Sequence, residues 1–155
     1  MKILMVCLGN ICRSPLAEGI MKYKIAQYGL DWTVDSAGTG AWHVGEHPDP
    51  RSISTARRHG IDIAGQKARQ FQPHDLNRFD LVLAMDRSNY RNILRRASTQ
   101  EQKEKVQLIM NFIRPGRNES VPDPYWDDNG FEKVFQMLDE ACEGVVEQLT
   151  VKNEQ

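Results

Sequence analysis

The chain has no hydrophobic run long enough to span a bilayer, few cysteines and no surplus of either charge, and each shortage removes a class of function. Twenty Lys+Arg stand against 21 Asp+Glu in 155 residues. No basic excess is present to draw a nucleic acid or an anionic membrane, so any anion binding must come from local geometry. The first apolar stretch, Met1 to Leu8, breaks at Gly9 and is followed by Asn10 and Arg13. It is too short for a secretory signal core and far too short for a membrane span, so a cytoplasmic protein with neither a membrane nor a nucleic-acid partner is expected. The three cysteines, Cys7, Cys12 and Cys142, are an odd number without a Cys-x2-Cys pair, which fits a reducing compartment better than a disulfide framework. His43, His47, His59 and His74 are scattered, so they are taken as surface or loop residues, and neither a metal site nor a cofactor is expected. The Gly-x4-Gly-Lys-Ser/Thr nucleotide loop is absent, as are repeats, low-complexity tracts and linkers. A length of 155 residues with 40% hydrophobic content suits one domain, expected to cover 1–155.

What is present alternates between strand and helix patterns. Lys2 to Cys7 is a continuous apolar run of the kind buried on both faces of a parallel sheet, and it leads into the turn Leu8-Gly9-Asn10. Ser14-Pro15 then opens a helix, with Ser14 expected as its cap, Pro15 at the first position and Glu18 in the first turn. Trp32 to Ala37 is a second strand, Arg51 to His59 a short helix stopped by Gly60, and Phe79 to Met85 a third strand. Ser88 to Arg96 is a basic helix, and Val106 to Met110 a weaker fourth strand. In the last helix Phe131, Val134, Phe135, Leu138, Cys142, Val145 and Leu149 recur every three or four residues and form one apolar stripe. Such alternation predicts an α/β fold, a three-layer sandwich whose active loop lies at the carboxyl ends of parallel strands. Two long irregular segments remain, Trp42 to Pro50 and Arg114 to Gly130, and loops of that length are often functional.

The segment Cys7-Leu8-Gly9-Asn10-Ile11-Cys12-Arg13-Ser14 places a cysteine at the end of a buried strand and an arginine at the start of a helix. The backbone N–H groups of such a loop can turn inward and, with the helix dipole, form a nest for a tetrahedral oxyanion. That field favours a thiolate nucleophile at Cys7. Arg13 offers a planar fork for two phosphoryl oxygens, and Ser14 a hydroxyl for the sulfur. Cys-x5-Arg by itself arises by chance, and a buried cysteine is usually a small hydrophobe. It is the strand before the motif and the helix after it that favour the functional reading.

Taken together, Val-Cys-Leu-Gly-Asn-Ile-Cys-Arg-Ser-Pro at 6–15, Val-Asp-Ser-Ala-Gly at 34–38, Trp42 to Gly45 and Pro48-Asp49-Pro50-Arg51 resemble the low-molecular-weight protein tyrosine phosphatases. Lys67-Ala68-Arg69-Gln70, Met85-Asp86 and Asp123-Pro124-Tyr125 extend the resemblance over nearly the whole chain. It implies a four-stranded parallel sheet flanked by helices and a hydrolase that cleaves phosphotyrosine or small aryl phosphates to inorganic phosphate through a phosphocysteine. A monomer is expected. The resemblance makes Cys7 the nucleophile, Arg13 the phosphate clamp and Asp123 the acid that protonates the leaving phenol and then activates water, as a poor leaving group requires. Leu8, Gly9, Asn10, Ile11, Cys12 and Ser14 would surround the phosphoryl group, with Asn10, Ser14 and Ser36 holding the loop. Trp42, Tyr125 and Trp126 would wall the cleft around a phenyl ring. Cys12 is expected to form a reversible protective disulfide with Cys7 on oxidation, while Cys142, on the apolar stripe, is structural.

Two positions depart from the pattern. Many relatives have a histidine before Lys-Ala-Arg-Gln that supports the loop, where this chain has Gln66, and some have a second tyrosine where it has Trp126. Among rivals on the same scaffold, an arsenate reductase needs a redox cysteine pair after the third strand, and residues 79–100 contain no cysteine. A protein-arginine phosphatase has threonine at the position of Ile11, so Ile11 points to phosphotyrosine. A phosphocysteine carrier must keep its phosphoryl group, which Arg13 and Asp123 argue against.

Overall fold

The computed structural model describes residues 1–154. Four parallel strands, β1 (Lys2–Cys7), β2 (Thr33–Gly38), β3 (Leu81–Ala84) and β4 (Val106–Leu108), form one sheet in the order β2-β1-β3-β4. Ile3 to Val6 are fully buried, because their alternating side chains feed both faces of the sheet. Ile3 and Met5 join Leu81 and Leu83 in one core, while Leu4 and Val6 join Val82, Ala84 and Val106 in the other.

The first core is covered by α1 (Arg13–Gln27), α2 (Pro50–Arg58) and α6 (Gly130–Glu154). The second is covered by α3 (Asp75–Arg78) and α4 (Arg87–Arg96), with α5 (Gln100–Glu104) leading into β4. This is the three-layer α/β sandwich with a four-stranded parallel sheet. On α6 the stripe from Phe131 to Val145 is buried and Leu149 packs at its edge; each fully buried apolar side chain contributes about 1.5–3 kcal/mol.

Several boundaries differ from expectation for local reasons. Ser14 does not cap α1: the helix starts at Arg13 with Cys12 in the cap position and no side-chain cap, and Ser14 is inside the helix, fully buried. Glu18, the sixth residue of α1 rather than in its first turn, accepts a hydrogen bond from the buried Ser36 hydroxyl. The expected strand Val106 to Met110 stops at Leu108, where Ile109–Phe112 tightens into a 3-10 turn. The third strand is shorter than Phe79 to Met85 because Phe79 closes α3. Neither α3 nor α5 is marked by periodicity, both being too short to repeat a face.

After β1 the chain runs to β2 on one side of the sheet and later to β3 on the other. The reversal opens a crevice at the carboxyl end of β1, where the loop from Leu8 to Cys12 lies.

Candidate active site

Cys7 ends β1 and its sulfur sits under the loop. The Asn10 N–H points to Cys7 Sγ at 3.3 Å, and Ser14 Oγ lies 3.0 Å from the same sulfur. Asn10 takes a left-handed backbone (φ 59), which asparagine tolerates better than other side-chain-bearing residues. The loop carbonyls are held by their neighbours: Cys7 O by Thr39 N and Leu8 O by Gly40 N, both at 2.9 Å, Ile11 O by Asp49 N at 2.8 Å and Cys12 O by Ser52 Oγ at 3.3 Å. In a trans peptide the next N–H points opposite to the carbonyl, so the N–H groups of Leu8, Gly9, Cys12 and Arg13 turn away from those partners. Such an array of amides is an anion nest.

Arg13 is 3% exposed. Its Nη1 donates to Asp86 Oδ2 at 2.8 Å and to Val121 O at 2.9 Å, while Nη2 is 4.0 Å from Asp123 Oδ2. Burial pulls the guanidinium pKa down, but Cys7, Asp86 and Asp123 outweigh it and hold the value above normal. Asp123 accepts from Tyr125 N at 3.1 Å and so caps the 3-10 turn Pro124–Trp126. The aspartate of Asp-Pro-Tyr is thus a turn residue whose second oxygen faces Arg13.

Cys7, Leu8, Gly9, Ile11, Cys12 and Arg13 form the floor and flank of a cleft of about 290 Å³ whose rim carries Trp42, His43, Asp123, Tyr125 and Trp126. Trp42 is 73% exposed and Trp126 87% exposed, so these rings are rim groups, not core. Tyr125 meets Trp126 edge-on at 4.8 Å, and Arg51, paired with Asp49 and Asp128, lies 5.5 Å from the Tyr125 ring. Beneath the floor, Asn10 Nδ2 donates to Ser14 Oγ at 2.8 Å and to Ser36 Oγ at 3.0 Å, and Asn10 Oδ1 accepts from Arg69 N at 3.0 Å. Asn10, Ser14 and Ser36 are therefore in the supporting layer rather than on the cleft wall.

Three residues enter the site that sequence reasoning had not singled out. Asp86, within the Met85-Asp86 pair, anchors Arg13; Glu18, one helical turn beyond Ser14, accepts from Ser36; and His43, next to Trp42, reaches the rim with its Nδ1 2.6 Å from Glu46. Cys12 is buried, and burial first, then Asp49, push its thiol up to about 12. Among the described residues no three His, Cys, Asp or Glu side chains are grouped to hold a metal, and no helix is long and apolar enough to cross a membrane.

Residues 2–155 match the family model described as low molecular weight phosphotyrosine protein phosphatase. The chain is 42% identical over 141 residues to the low molecular weight phosphotyrosine protein phosphatase of Schizosaccharomyces pombe, covering 88% of this chain and 89% of that one. Its structure superposes on the protein tyrosine phosphatase of Entamoeba histolytica with a TM-score of 0.92 at 36% identity, over 99% of both chains. A Drosophila arginine phosphatase superposes with a TM-score of 0.89 at 34% identity, over 96% of this chain and 98% of that one.

Proposed function

The chain belongs to the low molecular weight phosphotyrosine protein phosphatase family, and from that premise we propose how its residues hydrolyse phosphotyrosine and aryl phosphate monoesters. The phosphoryl group sits in the loop, three of its oxygens facing the amides and the Nε/Nη2 edge of Arg13, with the phenyl ring between Trp42 and Tyr125. Cys7 Sγ attacks phosphorus, the P–O bond to the phenol breaks, and Asp123 gives its proton to the departing oxygen. The product on the enzyme is a phosphocysteine. Asp123, now a carboxylate, takes a proton from water as that water attacks phosphorus, and the S–P bond breaks to release inorganic phosphate and restore the thiolate.

The observation that carries this reading is the convergence of three groups in one cleft: Cys7 Sγ under the loop amides, Arg13 anchored by Asp86, and Asp123 4.0 Å from the arginine. Anchoring matters because a guanidinium fixed on one edge presents its other edge without reorganisation. The single domain spans 1–155 and works as a cytoplasmic monomer on phosphotyrosine-containing proteins or small aryl phosphates. Asn10, Ser14 and Ser36 hold the loop, and Cys7 and Cys12 form its redox pair.

An arginine phosphatase is the second reading, favoured by the fold shared with the Drosophila enzyme. Ile11 on the cleft wall opposes it, since an apolar side chain there offers no hydroxyl to the N–H of a phosphoarginine. Side-by-side assays on phosphotyrosine, phosphoserine, phosphoarginine and arsenate decide between them. Preference for phosphotyrosine is expected, and a higher kcat/KM on phosphoarginine would reassign the substrate.

A further inference from the structure

Glu18 is a carboxylate at 4% exposure on α1, lining with Lys22 and Gln66 a cavity other than the cleft. A buried carboxylate is costly unless it is hydrogen-bonded and paired with a cation. Among the described residues it has two partners: the Ser36 hydroxyl donates to Oε1 at 2.7 Å, and Lys22 Nζ donates to Oε2 at 2.7 Å. Gln66, which lines the same cavity as Glu18, supplies no charge there. Its Nε2 donates to Pro15 O at 3.1 Å, and its Oε1 is buried without a partner. Lys22 is the cation that Glu18 has.

The pair sets the direction of a chain of hydrogen bonds. An ionised carboxylate only accepts, so Ser36 must donate to it. Ser36 Oγ is then the acceptor for Asn10 Nδ2 at 3.0 Å, and the second hydrogen of that amide goes to Ser14 Oγ at 2.8 Å. A Cys7 thiolate, as the proposed reaction requires, carries no hydrogen, so across the 3.0 Å contact the Ser14 hydroxyl is the donor to Cys7 Sγ.

We propose that Lys22 is a positioning residue for the phosphatase reaction: by holding the buried Glu18 carboxylate it orients the Ser36–Asn10–Ser14 hydrogen bonds so that a hydroxyl donates to the Cys7 sulfur. This rests on Cys7 being the nucleophile, as proposed above. An ordinary exposed i,i+4 pair contributes only a few tenths of a kcal/mol. This one differs because the lysine side chain is 58% exposed while the glutamate side chain is 5% exposed, so removing the ammonium leaves a nearly buried carboxylate, at the edge of a cavity the two residues line together, without the cation bonded to it. Orientation at the sulfur acts on the reacting atoms and not on the substrate's ring, so it changes kcat more than KM.

The test compares wild type, Lys22→Gln and Lys22→Arg. With p-nitrophenyl phosphate, Lys22→Gln is expected to lower kcat about three- to tenfold while KM moves less than about twofold. Alkylation of Cys7 by iodoacetate slows by the same factor, and Lys22→Arg restores both rates. Thermal unfolding of each variant is recorded in parallel. Wild-type kcat and alkylation rates in Lys22→Gln overturn the proposal whether or not its Tm falls, because a purely structural pair would move Tm alone. A wild-type protein that neither turns over the ester nor is protected from alkylation by phosphate overturns the functional reading itself, and the place of Lys22 with it.

Discussion

Arg13 Nη1 donates to Asp86 Oδ2 at 2.8 Å, while Asp86 Oδ1 takes the Asn89 N–H at 2.7 Å and caps α4. One carboxylate, two residues beyond β3, thus ties the buried guanidinium to the start of a helix. Asp86→Ala is expected to lose the cap and to leave Arg13 without its anion, a combined cost of about 2–3 kcal/mol measurable by urea unfolding. Asp86→Asn keeps the acceptor for Asn89 and most of the stability, yet its kcat/KM for p-nitrophenyl phosphate falls about tenfold as Arg13 loses a charged anchor. Equal activity in wild type and Asp86→Asn would show that the anchor is not used.

Cys7→Ser replaces the sulfur with a hydroxyl that the same amides surround but do not ionise. Turnover of p-nitrophenyl phosphate is expected to vanish while the circular dichroism spectrum stays that of wild type. Measurable steady-state turnover by this variant would assign the nucleophile elsewhere.

Asp123 has its Oδ1 on Tyr125 N and its Oδ2 facing Arg13, and in the proposed reaction it is the group that protonates the leaving phenol. Asp123→Ala is expected to cut kcat by about 10²–10⁴ for phenyl phosphate. The loss shrinks for 2,4-dinitrophenyl phosphate, whose phenolate leaves without a proton. A loss equal for both esters would mean that Asp123 is not the acid.

Much of this was legible in the residues. Lys2 to Cys7 is a run apolar enough to be recognised as a two-faced buried strand, and the α6 stripe repeats its face often enough to define a long helix. The turn from strand to loop to helix makes Cys7 and Arg13 stand out from the residues alone. What stayed hidden depends on partners distant in sequence: Asp86 is 73 residues from the arginine it anchors, and Ser36 is 18 from Glu18. Ser14 reads as a helix cap because serine followed by proline is a common helix start; the helix instead begins one residue earlier, at Arg13, and the Ser14 hydroxyl is engaged by Asn10 Nδ2 and Cys7 Sγ. His43 carries no pattern that separates a cleft residue from a solvated one, since only the path of the 42–50 loop brings it to the rim.

Gly38 lies where β2 meets the active loop. A Cβ built there would be 2.8 Å from Leu8 O and 3.1 Å from both Asn10 N and Gly9 C. These are backbone atoms, so no side-chain rotation relieves the clash, and the loop itself must move. Gly38→Ala is expected to destabilise the protein by about 1–3 kcal/mol and to lower kcat/KM by at least tenfold. Gly60→Ala, where a Cβ meets nothing within 4 Å but φ is +78°, costs stability through backbone strain alone and leaves kcat/KM unchanged. Loss of activity in both variants to the same degree would trace it to stability and not to the loop.

The three cysteines are set apart by their surroundings. Burial, reinforced by Asp49, pushes Cys12 up to about 12, and burial pushes Cys142, sealed against Ala17 in the helical core, to about 12 as well. Both remain thiols at neutral pH and react slowly. Limiting iodoacetamide near neutral pH is therefore expected to label Cys7 first, and inorganic phosphate to suppress that labelling by filling the nest. In the proposed redox pair, mild peroxide is expected to oxidise the Cys7 sulfur to a sulfenic acid; the Cys12 thiol, slow toward outside reagents but on the same loop, then displaces water from it, losing its own proton, and the resulting disulfide is reduced by dithiothreitol back to two thiols. Peptide mapping is expected to find the Cys7–Cys12 link, free Cys142 and full recovery of activity after reduction. Sulfinic acid on Cys7 with no linked peptide and no recovery would leave Cys12 without a protective role.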